Sequence, residues 1–146
     1  MLAQSVVSYY RRFLPDAVWV SADTWVNAQA MGAEVGFSDE NQPAGGTGQP
    51  CVRTLADLDR IPPPDPQVQG RWPLMLEALK RIRKELGDEV FIVACFDQYP
   101  FSLASELMGL NQIMLAVVEE RDFVKRVMDR CLEYGAAYAL ALAQAG

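Results

Sequence analysis

The fold is decided by the stretch AVWVSADTWVNAQAMG, which covers residues 17–32. Its first six residues are almost all apolar and favour β-structure, a pattern typical of a parallel-sheet strand covered on both faces. Residues 24–31 have helical composition and end at Gly32, a residue type common directly after a helix. One carboxylate, Asp23, separates the two segments. It either caps the helix that follows or is a reacting group held at the mouth of a barrel.

The order of the other segments predicts an α/β fold. The clearest helix is predicted over 72–86, where apolar residues recur at intervals of three and four, and a second buried strand is predicted over 90–96. Further helices are predicted over 6–13, 54–61, 100–108, 111–119 and 122–145. Strands that alternate with helices indicate a parallel sheet with right-handed crossovers.

The composition excludes several classes of protein. A chain of 146 residues with a net charge of −6 and scattered cations is not expected to bind nucleic acid. Its apolar runs are shorter than the roughly 18 residues of a membrane span, and no secretory signal opens the sequence. We therefore expect a cytoplasmic protein that does not enter membranes.

The absence of histidine limits the chemistry further. It removes Ser-His-Asp and Cys-His nucleophile systems, imidazole bases and the common zinc sites from this sequence. Cys51, Cys95 and Cys131 are far apart and form no Cys-x-x-Cys pair, so we expect reduced, buried thiols. Reacting groups must be carboxylates, tyrosines, lysines, backbone groups or residues of another chain.

Only two core strands are predicted, and the apolar edges of so small a sheet would be unpaired. The sequence begins almost within a helix and ends where a further strand would be expected. We therefore expect residues 1–146 to form part of a barrel domain truncated at both ends. An inactive fragment that associates with itself, as a homo-oligomer, is one alternative.

Residues 22–35, ADTWVNAQAMGAEV, resemble a motif of the uroporphyrinogen decarboxylase family. In that family an aspartate at a strand end is followed by a helix reading Pro-Gln-Ala-Leu-Gly and then by a Glu-Val pair. The matching positions here are Asp23, Gln29, Gly32 and Glu34. A second block, residues 90–103, ends in FDQYPFSL and resembles the family's strand followed by Gly-x-Pro-Trp-Thr-Leu. The resemblance covers most of the chain.

The resemblance implies the earlier part of a (β/α)₈ barrel, in which reacting groups lie at the C-terminal ends of the strands. It implies that Asp23 is catalytic, because in the decarboxylase this aspartate binds pyrrole N–H groups and stabilises positive charge on the ring. The implied substrate-binding residues are Trp25, Asp97, Tyr99, Phe101 and Glu106. Turn, surface or packing roles for these five remain open, and Arg71 is expected to be a surface charge.

Departures from the family pattern indicate which branch is closer. The substrate-gripping segment Arg-Gln-Ala-Gly-Arg-Tyr is absent, and a family tyrosine falls on Glu106. A carboxylate at that position suits an octa-acid tetrapyrrole badly. This favours the corrinoid-dependent methyltransferases, which move a methyl group from a cobalamin carrier protein to a thiol such as coenzyme M. Uroporphyrinogen decarboxylation is the alternative.

The resemblance also bears on cofactors. The methyltransferase branch binds zinc through a His-x-Cys pair and a distant cysteine in the later half of the barrel. Since this sequence has no histidine, such ligands would lie beyond Gly146. No metal or other cofactor is expected within residues 1–146, and zinc and a corrinoid would belong to the full-length parent protein.

Overall fold

The computed structural model describes residues 1–45, 49–96 and 100–146. Its elements are, in chain order, α1 (Leu2–Phe13), β1 (Ala17–Val20), α2 (Val26–Ala30), β2 (Val35–Gly36), β3 (Ala44–Gly45), α3 (Leu55–Asp59), α4 (Trp72–Leu86), β4 (Phe91–Ala94), α5 (Phe101–Met108), α6 (Leu110–Glu119) and α7 (Arg121–Ala145). The predicted α/β order is confirmed. The bounds of α4 are those predicted, whereas α1 begins four residues earlier and α2 is shorter at both ends.

Two strands form the central sheet of the described residues. β1 and β4 pair in parallel, with Ala17 opposite Phe91 and Val20 opposite Ala94. β2 and β3 form a separate antiparallel pair of two residues each. Because β1 and β4 run in the same direction, the segments that follow Val20 and Ala94 leave the sheet at the same edge.

The expectation that β1 is covered on both faces is wrong for this chain. Val18 and Val20 are each 1% exposed, whereas Trp19 is 63% exposed. Phe91 of β4, two residues before Val93, the partner of Trp19, is 72% exposed. Side chains alternate between the faces of a strand, and the helices of this chain cover only one of them. The parallel strands and flanking helices are those of an incomplete barrel, whose bare face is the one a closed barrel would fill.

The helical layer has a continuous core. Trp72 of α4 is fully buried, and its ring stacks on Tyr138 of α7 with 4.8 Å between centroids and 6° between planes. Tyr134, one turn earlier on α7, contacts the same ring at 5.4 Å. The Tyr134 hydroxyl donates to the carbonyl of Pro62 at 2.8 Å, which fixes the proline-rich segment before α4. Aromatic contacts therefore join α4 and α7 and anchor the chain between α3 and α4.

Within the described ranges, no single helix is both long and apolar enough to cross a membrane. α5 and α6 meet that test of length and composition only together, as a pair bent by 111°.

Candidate functional site

The C-terminal end of β1 leads to a buried ion pair. The Asp23 side chain is 4% exposed and accepts two hydrogen bonds from the Arg71 guanidinium. Nη2 donates to Oδ1 at 2.9 Å, and Nη1 donates to Oδ2. Oδ1 also accepts the backbone N–H of Trp25 at 3.0 Å. Paired, planar hydrogen bonds of this kind combine charge attraction with a fixed orientation.

The structure corrects the capping interpretation of Asp23. The helix α2 starts at Val26, its N-cap is Trp25, and no side chain caps it. Asp23 instead accepts the N–H of the residue two positions later, as aspartates do when they close a turn. Its carboxylate therefore organises the link between β1 and α2, and its other hydrogen bonds join it to Arg71.

The expectation that Arg71 is a surface charge is wrong. Its side chain is only 17% exposed, and its Nε donates to the Gln29 side-chain oxygen at 2.6 Å. The Phe37 ring centroid lies 5.0 Å from the guanidinium carbon, within the range of a cation–π contact. Asp23 and Gln29, two positions of the motif over 22–35, thus bind the same guanidinium.

Gly70 places Arg71 within reach of α2. Its φ is +51°, a left-handed conformation that glycine adopts without strain. A Cβ at this position would stand 2.9 Å from the backbone nitrogen of Ala30. The segment before α4 can therefore lie directly against α2 only because residue 70 has no side chain.

A cavity of about 390 Å³ adjoins this region. It is lined by Trp25, Ala33, Glu34, Gly45, Gln49, Pro50, Cys51, Ser105, Glu106, Gly109 and Leu110. The structure thus brings together two of the predicted site residues, Trp25 and Glu106. Trp25 also links the cavity to Asp23, because its side chain lines the wall while its backbone N–H binds the carboxylate. A Cβ on Gly45 would lie 2.3 Å from the Trp25 ring, so the backbone of β3 packs directly on the indole.

The cavity wall is acidic. Its described lining includes two carboxylates, Glu34 and Glu106, and no lysine or arginine. Burial raises the pKa of the Cys51 thiol, and the charge of Asp57 adds to that effect. The Cys51 thiol donates to the carbonyl of Leu107 at 3.6 Å. Because a raised pKa keeps this thiol protonated at neutral pH, Cys51 contributes little thiolate to the cavity.

Cys131 of α7 is a second protonated thiol. Burial, followed by the charges of Cys51 and Glu106, raises its pKa to about 12. The buried-thiol prediction holds for Cys131, while Cys51 and Cys95 are only partly buried. Among the residues that the structure describes, no three His, Cys, Asp or Glu side chains converge in an arrangement that could hold a metal ion.

Neither Asp23 nor Phe101 is among the residues that line this cavity. Phe101 is 38% exposed and lines a separate groove of about 570 Å³ formed by the start of α5 with α6 and α7. Asp97 and Tyr99 lie outside the described residues. Their assignments, like those of Asp23, Trp25, Phe101 and Glu106, remain predictions.

Sequence reasoning missed Asn27. It is 1% exposed, its Nδ2 donates to the Phe96 carbonyl at 2.8 Å, and its Oδ1 accepts from Trp72 Nε1 at 2.9 Å. One amide therefore connects α2, α4 and the end of the segment that follows β4. The available signal was a polar residue between Val26 and Ala28, which predicts a buried side chain that needs hydrogen-bond partners.

A parallel strand pair with helices on one face defines the class: part of a TIM-type barrel, a fold in which reacting groups lie at the C-terminal ends of the strands. The family model for uroporphyrinogen decarboxylase (URO-D) matches residues 1–146, and the chain belongs to this family. Within the family the chain is similar to members named for two different reactions.

Methylcobamide:CoM methyltransferase MtaA from Methanosarcina barkeri (strain Fusaro) is 27% identical over 146 residues, which are 100% of this chain and 42% of that protein. The uroporphyrinogen decarboxylase of Alkalilimnicola ehrlichii is 28% identical over 142 residues, 93% of this chain and 37% of that protein. A methyltransferase from Methanosarcina mazei has a solved structure that superposes with a TM-score of 0.87 at 28% identity, covering 99% of this chain and 42% of that one. The chain therefore spans less than half the length of these relatives.

Proposed function

We propose that this chain forms the earlier part of a corrinoid-dependent methyltransferase, which moves a methyl group from a methyl-corrinoid to a thiol such as coenzyme M. The observation that carries the proposal is the carboxylate lining of the cavity beside Trp25, which includes Glu34 and Glu106. The similarity to a methylcobamide:CoM methyltransferase over the whole chain supports the same choice.

Electrostatics separates the two reactions. A uroporphyrinogen carries eight carboxylates, and each one held about 6 Å from Glu34 or Glu106 would be repelled by about 1–3 kcal/mol at an effective dielectric constant of 20–40. A small thiol carries far fewer negative charges and is repelled correspondingly less. The cavity therefore selects against a polycarboxylate and tolerates the smaller ligand.

The residues of this chain would form one wall of the site rather than its metal centre. Trp25 offers an aromatic surface to a flat ring or an alkyl group. Asp23 accepts the backbone N–H of Trp25, and the resemblance implies a catalytic aspartate at this position. The donor set does not fit a resident zinc ion, since there is no histidine and the described cysteines do not converge. We expect the corrinoid to arrive on a carrier protein.

Uroporphyrinogen decarboxylation remains a second candidate for one specific reason. Asp23 occupies the motif position at which that reaction uses a carboxylate to stabilise a developing cation, and several decarboxylases are among the relatives. In the structure, however, this carboxylate is already bound by Arg71.

The test is a direct comparison on the intact protein that contains this chain. One arm supplies methylcobalamin and coenzyme M and follows loss of the methylcobalamin absorbance together with formation of methylated thiol. The other supplies uroporphyrinogen III and separates its decarboxylated products after oxidation. We expect product only in the first arm.

A variant pair sharpens the test. Glu106→Gln removes the negative charge and Glu106→Tyr restores the residue type found in the decarboxylases. Both should raise the affinity for uroporphyrin I, used as an octa-acid probe, while Glu34→Asp as a charge-conserving control should leave it unchanged. Decarboxylated product from the unmodified protein, without methyl transfer, would refute the proposal.

A further inference from the structure

We infer that Arg71 is a positioning and specificity residue of the strand-end site: it holds Asp23 in one orientation and cancels its charge, so that no free carboxylate faces a pyrrole N–H group. The inference rests on the proposed function, because it concerns which substrate the same site accepts. It also assigns a role to a side chain that the sequence placed at the surface.

Hydrogen bonds fix the orientation of the Asp23 carboxylate and the Arg71 guanidinium. Three N–H groups bind the two oxygens of Asp23, two from Arg71 and one from the Trp25 backbone. The guanidinium is itself held by Gln29 at Nε and covered by the Phe37 ring. Rotation of either charged side chain would break at least two hydrogen bonds, so the pair has one arrangement.

The opposite charges of Asp23 and Arg71 compensate each other. Asp23 is 4% exposed and Arg71 17% exposed, so solvent and salt screen the pair weakly and the two charges cancel at short range. Oδ1 already accepts two N–H groups, and Oδ2 accepts one. A carboxylate bound in this way has neither the net charge nor the free acceptors needed to bind several pyrrole N–H groups and stabilise a cation on the ring.

This arrangement predicts how ligand binding changes across a series of variants, the charge series, in which the net charge of the Asp23–Arg71 pair differs. Asp23→Asn keeps the shape of the side chain and leaves the charge of Arg71. Arg71→Met keeps much of the chain length and leaves the charge of Asp23. The double variant is neutral at the pair, as is the unmodified protein. Ligand binding should therefore follow the net charge of the pair rather than the presence of Asp23.

The experiment measures binding of uroporphyrin I to these four proteins, and to Arg71→Lys, by quenching of tryptophan fluorescence at an ionic strength of about 0.1 M. We expect Asp23→Asn to bind the probe about tenfold more tightly than the unmodified protein, because one uncompensated positive charge acts on eight carboxylates. Arg71→Met should bind about tenfold more weakly. The unmodified and double-variant proteins should agree within about threefold. Arg71→Lys, which keeps the charge but not the paired hydrogen bonds, should stay close to the unmodified protein.

Two results would overturn the inference. One is equal behaviour of all four proteins, including no measurable binding to any of them. The other is weaker binding by Asp23→Asn than by the unmodified protein, which would mean that the carboxylate itself contacts the ligand. Circular dichroism checks that each variant folds. If Arg71→Met does not fold, Asp23→Asn compared with the double variant decides the question, since neither retains an unpaired buried carboxylate.

The readout does not depend on catalysis. Failure of methyl transfer in the intact protein would refute the proposed function and leave the charge series unaffected. If binding does not follow the net charge of the pair, the role inferred for Arg71 is wrong, and the methyl-transfer assay still tests the proposed function independently.

Discussion

Trp72 and Trp19 show how differently two regions of this chain are packed. Trp72 is fully buried in the helical layer, stacked on Tyr138 and hydrogen-bonded to Asn27. Trp19 lies on the bare face of the parallel strand pair and is 63% exposed. The helical layer is completed by contacts within the chain, whereas the inner face of the sheet requires contacts that the described residues do not supply.

Replacing Trp72 or Trp19 by alanine should produce the largest difference in the free energy of unfolding. Trp72→Ala removes a stacked ring and leaves Asn27 without a buried hydrogen-bond donor, so we expect it to lower the free energy of unfolding by about 3–5 kcal/mol. Trp19→Ala should change it by about 1 kcal/mol or less, because most of that side chain is already in solvent. Urea unfolding measures both. Equal losses would mean that the bare face is packed in solution.

Two glycines with similar φ values test how closely the segment before α4 packs against α2. Gly70→Ala should cost about 2–3 kcal/mol, because its φ of +51° disfavours a side chain and the new Cβ would meet the backbone of Ala30. Gly87→Ala, at φ +55° and ψ −132° with no atom within 4 Å of the new Cβ, should cost less, about 1–2 kcal/mol, because only backbone strain opposes the side chain. Thermal unfolding of the two variants provides the comparison. A Gly70 variant no less stable than the Gly87 variant would contradict the close approach to α2.

The bare face of the sheet should cause self-association. Trp19 and Phe91 form an exposed apolar surface on a strand pair with unpaired edges, which favours pairing with another copy. The double variant Trp19→Lys, Phe91→Lys should weaken association by about tenfold, measured by sedimentation across a concentration series. Leu132→Lys, an exposed position on α7, is the matched control. A monomeric unmodified chain at high concentration would show that the face is not adhesive.

Local sequence patterns were sufficient to predict the main helices and the two core strands, but not which faces of the strands are covered. The bounds of α4 follow from its apolar spacing. A capping box between Thr54 and Asp57 fixes the start of α3, which ends at Asp59 rather than at the predicted residue 61. The prediction that β1 is covered on both faces was wrong because apolar composition does not specify what covers a strand. Trp19 favours burial wherever a partner surface exists, and the helices of this chain leave it exposed.

The site was only partly predictable for a similar reason. Asp23 stands out in the sequence because it interrupts an apolar stretch at a strand end. Its partner Arg71 lies 48 residues later and carries no local signal, since a single arginine before a helix is ordinary. Only the tertiary arrangement, with Gly70 against α2, shows that the two charges meet. Long-range pairing of this kind depends on loop geometry, which periodicity does not encode.

The amide of Asn27 couples the packing of the core around Trp72 to the backbone that follows β4. It receives a hydrogen bond from the most buried tryptophan and donates one to the carbonyl of Phe96, two residues after the end of β4. A variant selected only for heat resistance at position 72 would shift that carbonyl as well. Directed evolution of this protein should therefore find thermal tolerance and altered turnover arising from the same substitutions.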